Sequence, residues 1–148
     1  MQKGDISNEV VPRLLIVFEG LLGVLDTPKD RAAELLARKA HRWKSVLAAY
    51  TINEMLARHV WDIVWRKNFS VDVVTFLGDD FADLLQERLD KENLPIGRIR
   101  STTSDKLSRE LAYDPSVIAV YDPDPSHRFT YGGKTRIMDP NAPSFYGV

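Results

Sequence analysis

Acids and polar residues that follow apolar runs are the candidates in this sequence for a catalytic or ligand-binding role. Glu19 follows a first apolar run, Thr75 lies at the end of a second, and Asp122 and Asp124 follow a later one, with Lys106 before it. Such groups could hold Mg²⁺ and a phosphate, because Mg²⁺ prefers carboxylate and water oxygens and shares phosphate ligands. Acids in these positions also serve as helix caps and turn residues. The residue types alone therefore leave both interpretations open.

Apolar runs that stop at turn residues predict the strands that would position these groups. Continuous runs of this kind are typical of strands buried on both faces of a parallel sheet. The runs cover 13–18, 71–77, 96–100 and 117–121, and residues 129–131 and 135–138 predict a final short strand or a hairpin. Ligands of open α/β sheets bind at the carboxyl ends of the strands, which is where the acids and Thr75 lie.

Helix signals fill the segments between these runs. Thr27 before Pro28 predicts a helix start, and an apolar stripe that includes Leu36 continues at helical spacing to residue 50. Further helices are predicted over 51–68 (with Thr51 as N-cap), from 79, and over 104–112. The alternation of strands and helices predicts an α/β fold, a three-layer sandwich with a mostly parallel sheet of about five strands.

The composition is that of a single globular domain, predicted to span 1–148. The chain has 148 residues, and its 20 Lys+Arg nearly balance its 21 Asp+Glu, which argues against nucleic-acid binding. It has no cysteine, which excludes disulfides, thiolate metal ligands and a cysteine nucleophile. Within the domain we expect an N-terminal arm over 1–11, a helical insertion or crossover over 27–67, and an irregular tail over 139–148.

No segment of the sequence predicts a membrane or secreted location. No apolar run approaches the roughly 20 residues that span a bilayer, and the polar N-terminus is unlike a signal peptide. We therefore expect a cytoplasmic protein with no membrane partner.

The order of these motifs resembles the haloacid-dehalogenase-like (HAD-like) superfamily over roughly residues 12–139. In that family a first strand ends in Asp-x-Asp-Gly-Thr-Leu, a second strand ends in Thr or Ser, a lysine follows, and a later strand ends in one or two acids. The corresponding parts here are the segment 14–22, Thr75, Lys106, and Asp122-Pro123-Asp124.

The resemblance implies a site as well as a fold. It implies a HAD-like (Rossmann-like) strand order, phosphate binding by Thr75 and Lys106, and Mg²⁺ binding by Glu19, Asp122 and Asp124. The chain also resembles small HAD-like proteins of bacterial viruses, for which the location would be the host cytoplasm.

The first motif departs from the family at its most important position. If Gly20 fixes the register, the nucleophilic aspartate falls on Val17 and the general acid/base on Glu19. An isopropyl group cannot attack phosphorus or ligate a metal. Shifting the register to make Glu19 the nucleophile leaves Leu21 where the second acid should stand.

Two functional hypotheses follow from this departure. The first is a catalytically inactive HAD-like domain that acts as a binding or structural module for a protein partner or a phosphate-containing ligand. The second is a Mg²⁺-dependent phosphohydrolase of phosphate esters with an atypical first motif, in which Glu19 is catalytic.

Three other features have both a functional and an ordinary interpretation. The basic stretch over 31–44 could bind phosphates or an acidic partner, or it is a solvated helix face. Trp61 and Trp65, four residues apart, mark a protein contact or widen a buried helix face. The histidines lack metal-ligand spacing, so we interpret them as structural or exposed: His41, His59 and His127.

Overall fold

A computed structural model describes residues 11–148 of the chain, so the arm predicted over 1–11 lies, except for its last residue, outside the described residues. Five strands form a parallel sheet. They are β1 (Arg13–Val17), β4 (Ser70–Thr75), β5 (Ile99–Ser101), β6 (Val117–Asp122) and β7 (Thr135–Ile137). Their order across the sheet is β5-β4-β1-β6-β7, so β1 is central and its carboxyl end lies between those of β4 and β6.

Five helices flank the sheet. They are α1 (Pro28–Lys39), α2 (Trp43–Ala49), α3 (Glu54–Lys67), α4 (Asp79–Lys91) and α5 (Ser104–Leu111). Leu14 and Ile16 of β1 belong to a core cluster with the buried residues of α3 and α4, whereas Leu15 packs with Leu107 and Leu111 of α5. Alternate residues of β1 thus face helices on opposite sides of the sheet, which is why the whole run is apolar. The predicted α/β fold class is confirmed.

A small two-stranded antiparallel sheet that the sequence did not predict joins the two ends of the segment that contains α1 and α2. Its strands are β2 (Gly23–Val24) and β3 (Thr51–Ile52). Because these strands pair, the α1–α2 segment leaves and rejoins the fold at one place. Strands of two residues carry no period that a sequence pattern could detect.

The predicted continuous helix over 27–50 is two helices. The start at Thr27 is confirmed, since its hydroxyl accepts a hydrogen bond from the Asp30 amide. However, His41 adopts a left-handed φ of 54°, which breaks the helix. Leu36 is 69% exposed and does not lie on a buried stripe, because α1 buries Glu34 and Ala37 instead.

Several other boundaries shift by up to three residues, as at β5, which begins at Ile99 rather than at residue 96. The side chain of Asn53, rather than that of Thr51, caps α3, and Thr103 caps α5. The segment around Gly132 is a short 3₁₀ turn rather than a hairpin, and β7 begins after it. Residues 139–148 contain no helix or strand, as expected. None of the helices in the described part of the chain is long and apolar enough to cross a membrane.

Candidate functional site

The carboxyl ends of β1, β4 and β6 meet, as the strand order requires. The Phe18 amide donates to the Val74 carbonyl (2.8 Å), which joins the chain after β1 to β4. Gly20, at a φ of 90°, lies against the ring of Pro123, which follows β6, so closely that a Cβ there would stand 3.3 Å from the proline Cγ. The left-handed φ and this close approach together explain why a glycine occupies position 20.

Glu19 is largely buried at this edge. Its Oε1 accepts a hydrogen bond from the Phe76 amide (2.8 Å), while its Oε2 is buried without a hydrogen-bond partner among residues 11–148. Burial raises the pKa of this carboxyl, and the Phe76 amide, the neighbouring Thr75 hydroxyl and the charge of Arg38 offset part of the rise. Glu19 is therefore a carboxyl that favours its protonated form more than an exposed glutamate does.

Thr75 is completely buried next to Glu19. Its hydroxyl oxygen accepts a hydrogen bond from the Leu77 amide (3.3 Å), which turns the chain after β4. The Thr102 amide donates to the Thr75 carbonyl (3.2 Å), so α5 begins close to this residue. Lys106 is in the first turn of α5 and is exposed.

Asp122 at the end of β6 is buried and already has partners for both oxygens. Its Oδ1 accepts from the Asp124 amide (2.9 Å), and its Oδ2 lies 2.8 Å from His127 Nδ1. This hydrogen bond to Asp122 raises the pKa of His127. Asp122 and His127 therefore form an acid–histidine pair, which is strongest when the imidazole is charged.

Asp124 has a different environment from Asp122. It is exposed, and its Oδ1 accepts a hydrogen bond from the Ser126 amide (2.9 Å), which lowers the pKa of the carboxyl. Its Oδ2 lies 3.6 Å from His127 Nε2. Asp124 thus acts as the cap of the short 3₁₀ turn Pro125–His127 and helps to hold the imidazole.

The segment that contains α1 and α2 covers the end of β1 with a buried polar cluster. Glu34 of α1 is 2% exposed, and its Oε2 accepts hydrogen bonds from the Tyr50 hydroxyl (2.8 Å) and from Arg38 Nε (3.1 Å). The Tyr50 ring packs on Phe18, with ring centroids 5.1 Å apart. Burial and the neighbouring Glu34 raise the pKa of Tyr50, so its hydroxyl remains a donor that keeps α1 and the residue after α2 together over the end of β1.

The residues present do not fit a magnesium ion. Within residues 11–148 no three His, Asp or Glu side chains are grouped so that they could hold a metal. Asp122 contacts an imidazole that its own charge makes more basic, and the burial of Glu19 disfavours the carboxylate that Mg²⁺ requires. The structure brings Glu19, Thr75 and Asp122 to one edge but does not arrange Glu19, Asp122 and Asp124 as a ligand set.

Sequence reasoning missed the residues that occupy this edge together with the acids. We interpreted His127 as structural or exposed, and its pairing with Asp122 depends on the turn that Asp124 and Pro125 begin. That Asp-Pro pair, three residues before a histidine, is the signal that could have indicated the contact. Glu34 and Tyr50, sixteen residues apart on separate elements, gave no such signal.

Comparisons with known proteins identify the fold and not the family. No protein-family model matches the chain, and no curated protein matches it. One chain of the solved Pnkp1/Rnl/Hen1 complex is similar in structure, with a TM-score of 0.55 and 12% sequence identity. The match covers 86% of this chain and 46% of that chain, so this protein spans about half the length of the chain it matches. At this identity the likeness shows an α/β fold with a parallel sheet and nothing about activity.

Proposed function

We propose that this chain is a HAD-like domain that does not turn over phosphate esters and acts as a binding or structural module. The observation that carries the proposal is Val17. In the register set by Gly20, the aliphatic side chain of Val17, 2% exposed, ends β1 where the family has its nucleophilic aspartate. Losing a covalent nucleophile removes several orders of magnitude of rate in other covalent enzymes.

The strand order supports the HAD-like part of this proposal. Central β1 with β4 and β6 as neighbours places the first, second and last motifs at one edge, as the family resemblance requires. The hydrogen bonds of Asp122 support the proposed lack of catalysis, because both of its oxygens already contact the loop that contains His127.

The covering of β1 favours a protein over a phosphate as the bound partner. The Tyr50 ring packs on Phe18, the first residue after β1, and the Tyr50 hydroxyl donates to the buried carboxylate of Glu34 in α1. Together they cover the end of β1. The carboxylate of Glu34 already holds Arg38 and Tyr50, so neither of these donors is free to bind a phosphate. A protein would instead bind an outer surface of the domain.

A phosphatase assay with matched variants tests this proposal. We expect the purified chain to release no phosphate from an aryl phosphate in the presence of Mg²⁺, and calorimetry to show no binding of inorganic phosphate. Any background release should be identical in Glu19→Gln and Asp122→Asn. Turnover by the unmodified chain that disappears in either variant would show that the edge is an active site.

The second candidate function is a phosphohydrolase of atypical design, which one observation favours. Glu19 has a raised pKa and an unpartnered, buried Oε2, which are properties of a carboxyl that can donate a proton to a leaving group. Such an enzyme would need a nucleophile other than residue 17. In the same assay, hydrolysis that Glu19→Gln abolishes and Lys106→Ala weakens would favour this function.

A further inference from the structure

The outer face of α3 exposes two stacked indoles. Trp61 is 39% exposed and Trp65 is 71% exposed, and their rings lie nearly parallel with centroids 6.1 Å apart. Met55, half exposed, lies about 1.7 turns before Trp61 on the same helix, and around the helix it lies closer to the direction of Trp65. Large aromatic side chains and methionine are enriched at protein interfaces and rarely cluster on a free surface. This face therefore has the chemistry of a contact surface.

A recess beside Trp61 extends this face. A cavity of about 540 Å³ lies between α3 and α4. Its apolar part consists of Ile52, Ala57, Trp61 and Leu94, and the rest of its lining is polar or charged, with Arg58 of α3 and Arg88 of α4 among it. A recess of this kind next to an exposed aromatic can receive an apolar side chain of a partner, as the central pockets of interfaces do.

The charges on the same face alternate in sign along the helix. Glu54, Arg58, Asp62 and Arg66 follow one another at intervals of four residues, and all four are exposed. The signs reverse about Val60, which lies on the opposite, buried side of α3. An identical helix that runs antiparallel and is centred on the same residue therefore meets opposite charges at every level.

The pairing in such an arrangement is specific. Arg58 lies at the level of Asp62 of the second copy, and by the two-fold symmetry this contact occurs twice. Glu54 lies at the level of Arg66 of the second copy. A parallel copy in the same register would place like charges side by side, which is destabilising.

Contacts within the helix account for only part of this pattern. Asp62 and Arg66 form an ion pair of 2.9 Å, in which both side chains remain more than half exposed. Pairs of this type stabilise a helix by about 0.2–0.5 kcal/mol. They can therefore account for the alternating charges at intervals of four residues. They do not explain why two indoles and a methionine are exposed beside it.

We propose that the α3 face binds a second copy of this chain in an antiparallel arrangement centred on Val60. The stacked indoles and Met55 supply the apolar part of the contact, and the Arg58–Asp62 pairs fix its direction. This inference does not depend on whether the carboxyl edge of the sheet is catalytic.

Sedimentation velocity with two charge-reversal variants tests the arrangement. We expect the unmodified chain to dimerise as its concentration rises, and Arg58→Glu and Asp62→Arg each to weaken the dimer at least about tenfold, because each places like charges together twice. An equimolar mixture of the two variants should dimerise again, since each copy then presents charges opposite to those of the other. Recovery in the mixture cannot come from repaired folding, because each chain keeps its own substitution.

The aromatic part is tested by Trp65→Ala with Tyr113→Ala as its matched control. Tyr113 is 90% exposed and lies far along the chain from α3. We expect the tryptophan variant to weaken the dimer about tenfold or more and the tyrosine variant to leave it unchanged. A chain that is monomeric at every concentration, or a mixture that dimerises no better than either variant alone, would overturn the proposal.

Discussion

Two buried aspartates, on the strands to either side of β1, have different kinds of charged partner. Asp72 of β4 is fully buried and contacts three arginines, with Arg13 Nη1 at 2.6 Å, Arg100 Nε at 3.0 Å and Arg98 Nε at 3.6 Å. Asp122 at the end of β6 is as deeply buried, but its charged partner is His127 at 2.8 Å. A guanidinium stays charged at any pH that a folded protein tolerates, whereas an imidazole does not.

This difference separates the amino-terminal half of the sheet, where the partners of Asp72 stay charged, from its carboxyl edge, where the partner of Asp122 titrates. At Asp72 the packing is also tight, since a Cβ on Gly97 would stand 2.6 Å from Asp72 Oδ1. At the carboxyl edge, Asp122 is held by a loop and a titratable ring, and Glu19 contacts a backbone amide. Function in parallel sheets lies at the carboxyl edge, and here that edge is the one whose charges depend on pH.

The largest expected effect comes from removing the charge of Asp72. Asp72→Asn leaves Arg100, whose side chain is only 10% exposed, without its carboxylate, and uncompensated buried charges of this type cost about 3 kcal/mol or more. Urea unfolding followed by tryptophan fluorescence measures the loss. Asp90→Asn, which changes an exposed acid bonded to Gln86, is the control and should change stability by less than about 0.5 kcal/mol. A loss below about 1 kcal/mol for Asp72→Asn would mean that the arginine cluster is not structural.

A smaller and pH-dependent effect is expected at the other aspartate. The pKa of His127 is raised from 6.5 in the folded chain by its hydrogen bond to Asp122, so its contribution is complete below pH 6.5 and is lost as the pH rises through the folded pKa. We expect His127→Gln to destabilise the chain by about 1 kcal/mol at pH 5.5 and by less at pH 8.5. Urea unfolding at both pH values measures the difference.

Urea unfolding of Asp72→Asn at the same two pH values tests whether the two aspartates differ in pH dependence. The destabilisation should be the same at pH 5.5 and pH 8.5, because the arginine partners of Asp72 do not titrate in this range. If the His127→Gln effect were equally constant, the two aspartates would not differ in the way proposed.

The sheet was predictable from sequence because its central strands are continuous apolar runs. The predicted run over 13–18 became β1 and the run over 117–121 became β6 to within one residue at each end. The break at His41 was not predicted: histidine adopts a left-handed φ more often than most residues do, but such a φ is uncommon at any residue other than glycine, and the apolar spacing continues across the break.

The candidate site was predictable in part for the same reason. Glu19, Thr75 and Asp122 follow predicted strands, so the parallel arrangement alone places them at one edge. The partner of Glu19 and the covering Tyr50 were not predictable, because the Phe76 amide and Tyr50 reach the edge through turns and a helical segment whose path is set by tertiary contacts. What the acids can do depends on these partners, and the chemistry inferred from residue types changed accordingly.

The smallest expected effect distinguishes Glu19 from both aspartates. Glu19 has a backbone amide as partner, and its pKa is raised above 4.5 by burial. A raised acid pKa means that the folded chain binds this proton more tightly than the unfolded chain does. The carboxyl therefore costs stability progressively as the pH rises from 4.5 through the folded pKa.

Glu19→Gln should remove that cost while keeping an oxygen for the Phe76 amide. We expect the variant to match the unmodified chain near pH 4 and to become the more stable of the two as the pH rises toward 8, as measured by urea unfolding across that range. The sign is opposite to that of His127→Gln and Asp72→Asn, which both destabilise. A Glu19→Gln variant that is less stable than the unmodified chain at pH 8 would show that the favourable contacts of the carboxylate outweigh the cost of burying it, and Glu19 would then resemble Asp72.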